Sequence, residues 1–334
     1  MQFLADPRAD APATFRDAFP WASLSDAAER LLRRPVTVSQ AHKRVFIIGC
    51  PRSGTTVVQA ALAERGNLLT LPETHFFSRL FGSLDDWMSD DLDGCRRRWH
   101  SRLLYARANT HHRLKDALAG PLQGRPLSRH LSGRGYVAEF VQRLDDAASA
   151  QQRAGWLEKT PEHFAYVEMI RALCPDALFV HVMRAGEDVV ASAVDAEMRF
   201  AGGDSFRGGA AFWVRHWNRA AETHLRYAGQ PRHHVVCHED LVQDSEATLT
   251  RLLEWAGLDD EPPRSTRPGE IADLRQEPWK RDALSGRVVA AARKFEALFG
   301  PQAQRWVRER LHDYGTLRAE VARRQGAGGT AGGR

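Results

Sequence analysis

The chain has four cysteines in 334 residues, and no two are close enough in sequence to form a CxxC pair. Cys50, Cys95, Cys174 and Cys237 therefore do not make the usual zinc-ribbon or dithiol redox patterns. They read as free thiols in a reducing compartment. HExxH-type metal-ligand spacing is also missing. No apolar run approaches the ~20 residues of a membrane span. The longest are strand-length, such as Val45 to Ile48. At the N-terminus, Asp6, Arg8 and Asp10 stand where a signal peptide would need an apolar core. These absences lead us to expect a soluble, cytoplasmic protein. Nor is there a large excess of one charge. The formal net charge is +5 and the pI about 9.2. That balance mildly favours anionic partners (a nucleotide, a phosphorylated or sulfated substrate, nucleic acid or a membrane surface) without choosing among them.

What is present is an ordinary globular composition, 43% hydrophobic and 27% charged. Short apolar runs alternate with helical patterns. Val45–Ile48 is β-branched and apolar throughout, as a buried parallel strand is. Leu68–Leu71, Trp156–Glu158, Leu178–Val182 and His234–Cys237 are the other candidate strands. Helices are expected over Asp26–Arg34 with Ser25 as cap, over Val57–Glu64, through Val189, Val190 and Ala193, and over Ser245–Ala256 ending at Gly257. Pro161 sits where a helix would start. The pattern predicts an α/β fold around a mainly parallel sheet, with a helical insertion at about 76–153, after the second strand. We expect one domain over 1–325, followed by a disordered Gly-rich tail at 326–334.

The strongest feature joins the first strand to the first long helix: Gly49-Cys50-Pro51-Arg52-Ser53-Gly54-Thr55-Thr56. Glycines permit a sharp turn with N–H groups pointing inward, and the helix N-terminus adds a positive dipole end. Arg52 adds a fork of donors, and Ser53, Thr55 and Thr56 add hydroxyls. A nucleotidase loop reads GxxxxGK[ST]. Here Thr55 stands where the lysine belongs, which argues against ATP or GTP hydrolysis.

Pro51 to Thr56 resembles the PxSGTT loop of the PAPS-dependent sulfotransferases, which bind 3′-phosphoadenosine 5′-phosphosulfate (PAPS) there. The Arg52 form is closer to the carbohydrate, tyrosylprotein and bacterial branches than to the cytosolic steroid and phenol branch. The resemblance implies a three-layer P-loop-like fold, PAPS as co-substrate, adenosine 3′,5′-bisphosphate (PAP) as product, and no metal. It extends to Val180–Ser192, whose Arg184 and Ser192 correspond to the residues holding the 3′-phosphate. Ala185-Gly186 replaces the usual proline there. Pro278-Trp279-Lys280 is similar to the late segment that closes over the nucleotide, and would bring Lys280 near the 3′-phosphate.

For the chemistry, Pro72-Glu73-Thr74-His75 resembles the segment carrying the family's glutamate base. It nominates Glu73, with His75 as runner-up because histidine titrates near neutrality. Glu73 as a cap of the helix near Phe76 is the structural alternative. Trp156–Pro161 is similar to the family's KTP segment and assigns Lys159 to transition-state charge, with Arg52 and Thr55 assisting. Lys159 paired with Glu158 is the alternative there. The basic run Arg96–Lys115 reads first as a solvated face, and secondly as a site for an acidic acceptor. Interleaved Trp99 and Tyr105 would suit nucleic acid least well. The expected partner is a small-molecule, carbohydrate or peptide hydroxyl, with neither nucleic acid nor a membrane involved. A small-molecule kinase and a non-catalytic nucleotide-binding module are the competing functions.

Overall fold

The computed structural model describes residues 34–36, 42–82, 99, 101–118, 122, 124–200, 208–260, 268–272, 274, 280 and 294–328. Of the helix expected over Asp26–Arg34 they include Arg34 alone, and of Pro278-Trp279-Lys280 they include Lys280 alone.

Five strands form one sheet: β1 (Lys43–Gly49), β2 (Leu68–Thr70), β3 (Gly155–Lys159), β4 (Leu178–Met183) and β5 (His233–Cys237). Their order is β2-β3-β1-β4-β5 and every pairing is parallel. The α/β expectation holds, and each expected strand is present with its ends shifted by a residue or two. β1 lies in the centre because it is apolar on both faces. Val45 and Ile47 join one core with Leu157, Val180 and Val182. Phe46 and Ile48 join the other with Trp156 and Phe179.

Helices cover both faces and make three layers. α1 (Thr55–Arg65) follows the turn after β1. The insertion contributes α2 (Phe76–Phe81), α3 (Thr110–Leu114) and α4 (Gly133–Ala150). A 3₁₀ turn at Pro161–Tyr166 leads into α5 (Val167–Leu173), so Pro161 does open a helical segment. α6 (Gly186–Arg199) and α7 (Gly209–Tyr227) lie between β4 and β5. α8 (His238–Gln243) and α9 (Ser245–Ala256) follow β5. α9 is capped by Asp244, whose side chain accepts from Ala247 N–H, and it stops at Gly257 with φ 61°. Among the described residues four further helices follow: α10 (Pro268–Ile271), α11 (Lys294–Leu298), α12 (Pro301–Arg308) and α13 (Tyr314–Gly328). α13 carries three residues of the Gly-rich tail, Gly326 to Gly328, for which the composition predicted disorder. Upstream in that helix, Leu317 and Val321 are buried and Gln325 bonds to the backbone of Val235 on β5. That docking outweighs the low helix propensity of glycine. Among the described residues no helix is long and apolar enough to cross a membrane.

Parallel strands end on one rim. Gly49 opens the phosphate loop, β2 leads to Glu73, β3 ends at Lys159, and Arg184 and His238 directly follow β4 and β5. Ligands of open α/β sheets bind at this C-terminal edge.

Candidate active site

The loop after β1 is shaped by its backbone. Arg52 takes φ 74° and Gly54 φ 96°, both left-handed. The first is uncommon for a residue with a Cβ and marks a held geometry. Glycine is required at 54 for two reasons. Its φ suits no other residue well, and a Cβ would come within 2.6 Å of the His238 ring. At Gly49 a Cβ would meet the Val182 carbonyl at 2.4 Å, so β1 and β4 could not approach as they do.

The loop is tied to the β4 rim. Arg52 Nε donates to Ser192 Oγ at 3.1 Å. Arg184 Nη1 donates to the Arg52 carbonyl at 3.3 Å, and Arg184 Nη2 lies 3.6 Å from Asp188. Two guanidinium groups thus share one corner. Burial, then the neighbouring Arg184, pulls the Arg52 pKa below its ordinary value. Two buried polar atoms have no protein partner here: Ser53 Oγ and Arg184 Nε. Buried polar groups are rarely left so. Both hydrogen-bond to anions readily, and with the helix N-terminus behind them they fit a phosphate group.

The second half of the site is an ion cluster. Glu73 Oε1 accepts from both Lys159 Nζ and Lys280 Nζ, and Oε2 lies 3.5 Å from His75 Nε2. Both lysines are buried. Burial alone would raise the Glu73 pKa, but Lys159, Lys280 and His75 together hold it well below the carboxylate range. One side-chain atom each from Glu73, His75 and Glu162 lie within 4.8 Å of one another. A cation fits such spacing, and the ammonium groups of Lys159 and Lys280 supply positive charge at Glu73 already.

A buried network holds these groups in place. Glu158 Oε1 accepts from Thr74 Oγ1 at 2.8 Å and Thr160 Oγ1 at 2.6 Å. Its Oε2 is 2.9 Å from His163 Nδ1, and His163 Nε2 accepts from Phe77 N–H at 3.3 Å. The network assigns the His163 proton to Nδ1. It ties the segment bearing Glu73 and His75 to the end of β3, which bears Lys159. Thr160 Oγ1 also accepts the His75 N–H at 3.2 Å.

The model of the sulfotransferase family matches residues 44–262. The chain belongs to the sulfotransferase family. Solved structures similar to it include the sulfotransferase domain of the Synechococcus PCC 7002 olefin synthase, at 20% identity, covering 82% of this chain and 98% of that one, TM-score 0.47. The sulfotransferase domain from the curacin biosynthetic pathway is 16% identical, covering 86% and 98%, TM-score 0.43. Sulfotransferase STF9 from Mycobacterium avium is 15% identical, covering 80% and 76%, TM-score 0.43. No curated protein matches the chain significantly.

In this sulfotransferase the predicted residues fall into two adjoining groups. Arg52, Ser53, Gly54, Thr55 and Thr56 form the loop and the first turn of α1, joined to Arg184 and Ser192. Glu73, His75, Lys159 and Lys280 form the ion cluster. Lys280 joins the second group, and two structural alternatives fall away. Lys280 has its ammonium buried on the Glu73 carboxylate, beside Lys159. Glu158 does not pair with Lys159. Adjacent strand residues face opposite sides of the sheet, and Glu158 turns to His163. Glu73 caps no helix: His75 is the N-cap of α2, and Thr74 Oγ1 accepts the Phe76 N–H. In the basic run, Trp99 is a core residue against Phe81 and Tyr166, so it offers no stacking face. Arg96 to Arg98 lie outside the described residues.

Sequence reading missed Glu162, His163, Thr74 and His238. His238 was open to the rule that found Arg184, since it directly follows a strand at the rim. The others leave no local signal, as their partners lie far away in sequence.

Proposed function

We propose that this sulfotransferase moves the sulfuryl group of PAPS to an acceptor hydroxyl of a small molecule, carbohydrate or peptide. The observation that carries this reading is the pair of unsatisfied buried polar atoms, Ser53 Oγ and Arg184 Nε, at a cation-rich corner whose loop lacks the nucleotidase lysine. A site for both a 5′- and a 3′-phosphate separates PAPS from ATP. The loop and α1 would hold the 5′-phosphosulfate, while Arg184 and Ser192 would hold the 3′-phosphate.

The acceptor oxygen attacks sulfur in line, and charge accumulates on the leaving phosphate oxygen. Lys159, Lys280 and Arg52 are the cations available to it. Glu73 serves as general base. In the resting protein its carboxylate is occupied by two ammonium groups, which makes it a weak base. An anionic nucleotide competes for those ammonium groups. As they turn towards phosphate and sulfuryl oxygens, Glu73 regains proton affinity. The base would thus become competent only with the donor bound.

The test is thermal stabilisation by PAP beside ADP and ATP, each with and without magnesium. A ligand at ~100 times its dissociation constant adds about 2.7 kcal/mol. A magnesium-independent shift is expected with PAP, and Arg184→Ala should lose it selectively for 3′-phosphorylated ligands. A shift with ATP and magnesium alone would sink the reading.

A further inference from the structure

Glu162 has no place in the chemistry described so far, yet it reaches the centre of it. It is the second residue of the 3₁₀ turn after Lys159. A carboxylate oxygen of Glu162, one of Glu73 and a ring nitrogen of His75 all lie within 4.8 Å of one another. Its Oε2 is buried and has no hydrogen-bond partner. The titratable groups facing it are His75 and Glu73 from the segment after β2, His163 from its own turn, and Cys50 from the phosphate loop. Lys159 and Lys280 lie one step further, on Glu73. His75 is held among them in the left-handed region, φ 49°, with its N–H on Thr160. Its side chain is 40% exposed against 11% for Glu73, so the imidazole is the more open member.

We infer that Glu162 is a positioning residue that completes a proton-accepting cluster with Glu73 and His75. The inference rests on the sulfuryl-transfer reading above. Two carboxylates in different surroundings share the work. Glu73 bears the lysines and is held low. Burial and the Glu73 charge raise the Glu162 carboxyl, with His75 opposing. Environments that push two neighbouring carboxyls apart are the mark of an acid–base pair. A proton arriving at the cluster relieves repulsion between the two carboxylates, and so Glu162 lends Glu73 the proton affinity that the lysines remove. In the transfer, the acceptor O–H bond breaks as its oxygen bonds to sulfur. The bond from sulfur to the nucleotide phosphate oxygen breaks, and its electron pair stays on that oxygen. The proton passes to the cluster and then to water.

Two readings test this. Infrared difference spectra of wild type minus Glu162→Gln, taken through the acid range, should show a protonated-carboxyl band that persists above the ordinary glutamate midpoint of about 4.3. Its absence would overturn the inference, whatever reaction the protein catalyses. The second reading runs transfer backwards, from aryl sulfates to PAP, where the cluster must return a proton to the departing aryl oxide. Phenyl sulfate needs that proton and p-nitrophenyl sulfate hardly does. Glu162→Gln should slow the first about tenfold or more and the second less than about threefold. Equal slowing of both, or of neither, would reduce Glu162 to a structural residue. If wild type with an intact infrared band cleaves no aryl sulfate with PAP and shows no PAP stabilisation, the sulfuryl-transfer reading has failed and takes this inference with it. Cleavage of neither ester despite PAP stabilisation would overturn the inference alone, since a working proton cluster should serve the simplest aryl esters. Should the glutamine variant not fold, Glu162→Met, of similar length, gives the same two readings.

Discussion

Strand β1 begins and ends beside a buried ion cluster, and the two are built on opposite plans. At its start, Arg44 is 1% exposed and bonds to two carboxylates. Its Nη2 donates to Asp145 Oδ2 at 2.7 Å and its Nη1 to Asp176, while Trp156 Nε1 donates to Asp145 Oδ1 at 2.8 Å. None of these side chains leaves a buried polar atom without a partner. At the other end of the strand one carboxylate, Glu73, faces two lysines, and Arg52 and Arg184 crowd the loop beside it. Ser53 Oγ, Arg184 Nε and Glu162 Oε2 are left without partners. The first cluster closes on itself, as a structural ion network must if it is to offset its desolvation. The second carries surplus positive charge and open hydrogen-bonding capacity. Both are buried ionic sets on one strand, and only the second is arranged for something that is not part of the chain.

The largest effect that separates them is on turnover. Glu73→Gln should slow sulfuryl transfer by about 10²–10⁴-fold while PAP still stabilises the protein. Near-normal turnover would move the base to His75. Next is stability. Arg44→Met removes the buried cation that Asp145 and Asp176 share and should cost about 3 kcal/mol in urea unfolding. The PAP-induced shift of the folded protein should survive. Loss of that shift would show that the two ends of β1 are not independent.

The smallest effect, taken per residue, comes from a third buried set, which carries no charge at all. His181 Nδ1 lies 3.0 Å from His224 Nδ1, and its Nε2 2.9 Å from His233 Nδ1. Burial pushes the pKa values of His224 and His233 down to about 3, and that of His181 well below its usual value. A folded-state pKa below the unfolded value of about 6.5 means that the unfolded chain binds more protons between the two. Stability is therefore full above about pH 6.5 and falls as pH drops towards 3. His224 and His233 should each cost on the order of 1–2 kcal/mol by pH 5. Urea midpoints at pH 7 and pH 5, for wild type and His224→Phe, measure this. An equal acid slope in both proteins would remove His224 from the account.

Much of the site was legible because it depends on local chain geometry. Gly54 announces a left-handed turn, Thr55 announces the missing lysine, and Arg184 announces a strand end on the ligand rim. The Glu158–Lys159 pair stood as an alternative because strand alternation, visible in the sequence, was not applied to it. The meeting of Lys280 with Glu73 was not legible for a different reason. Lys280 lies more than 200 residues from Glu73, and no pattern within either segment encodes their meeting.

By itself the sequence determined the parallel α/β fold, the phosphate loop without its lysine, and the five strand ends from which the site is built. These follow from side-chain periodicity and from the φ angles that glycine permits, both properties of neighbouring residues. Tertiary structure alone decided that Glu73 holds two lysines, that Ser53 and Arg184 keep unspent hydrogen-bonding capacity, and that Glu162 enters the cluster. Charge and burial act through space, and those distances exist only once β2, β3 and the later segment around Lys280 have packed together.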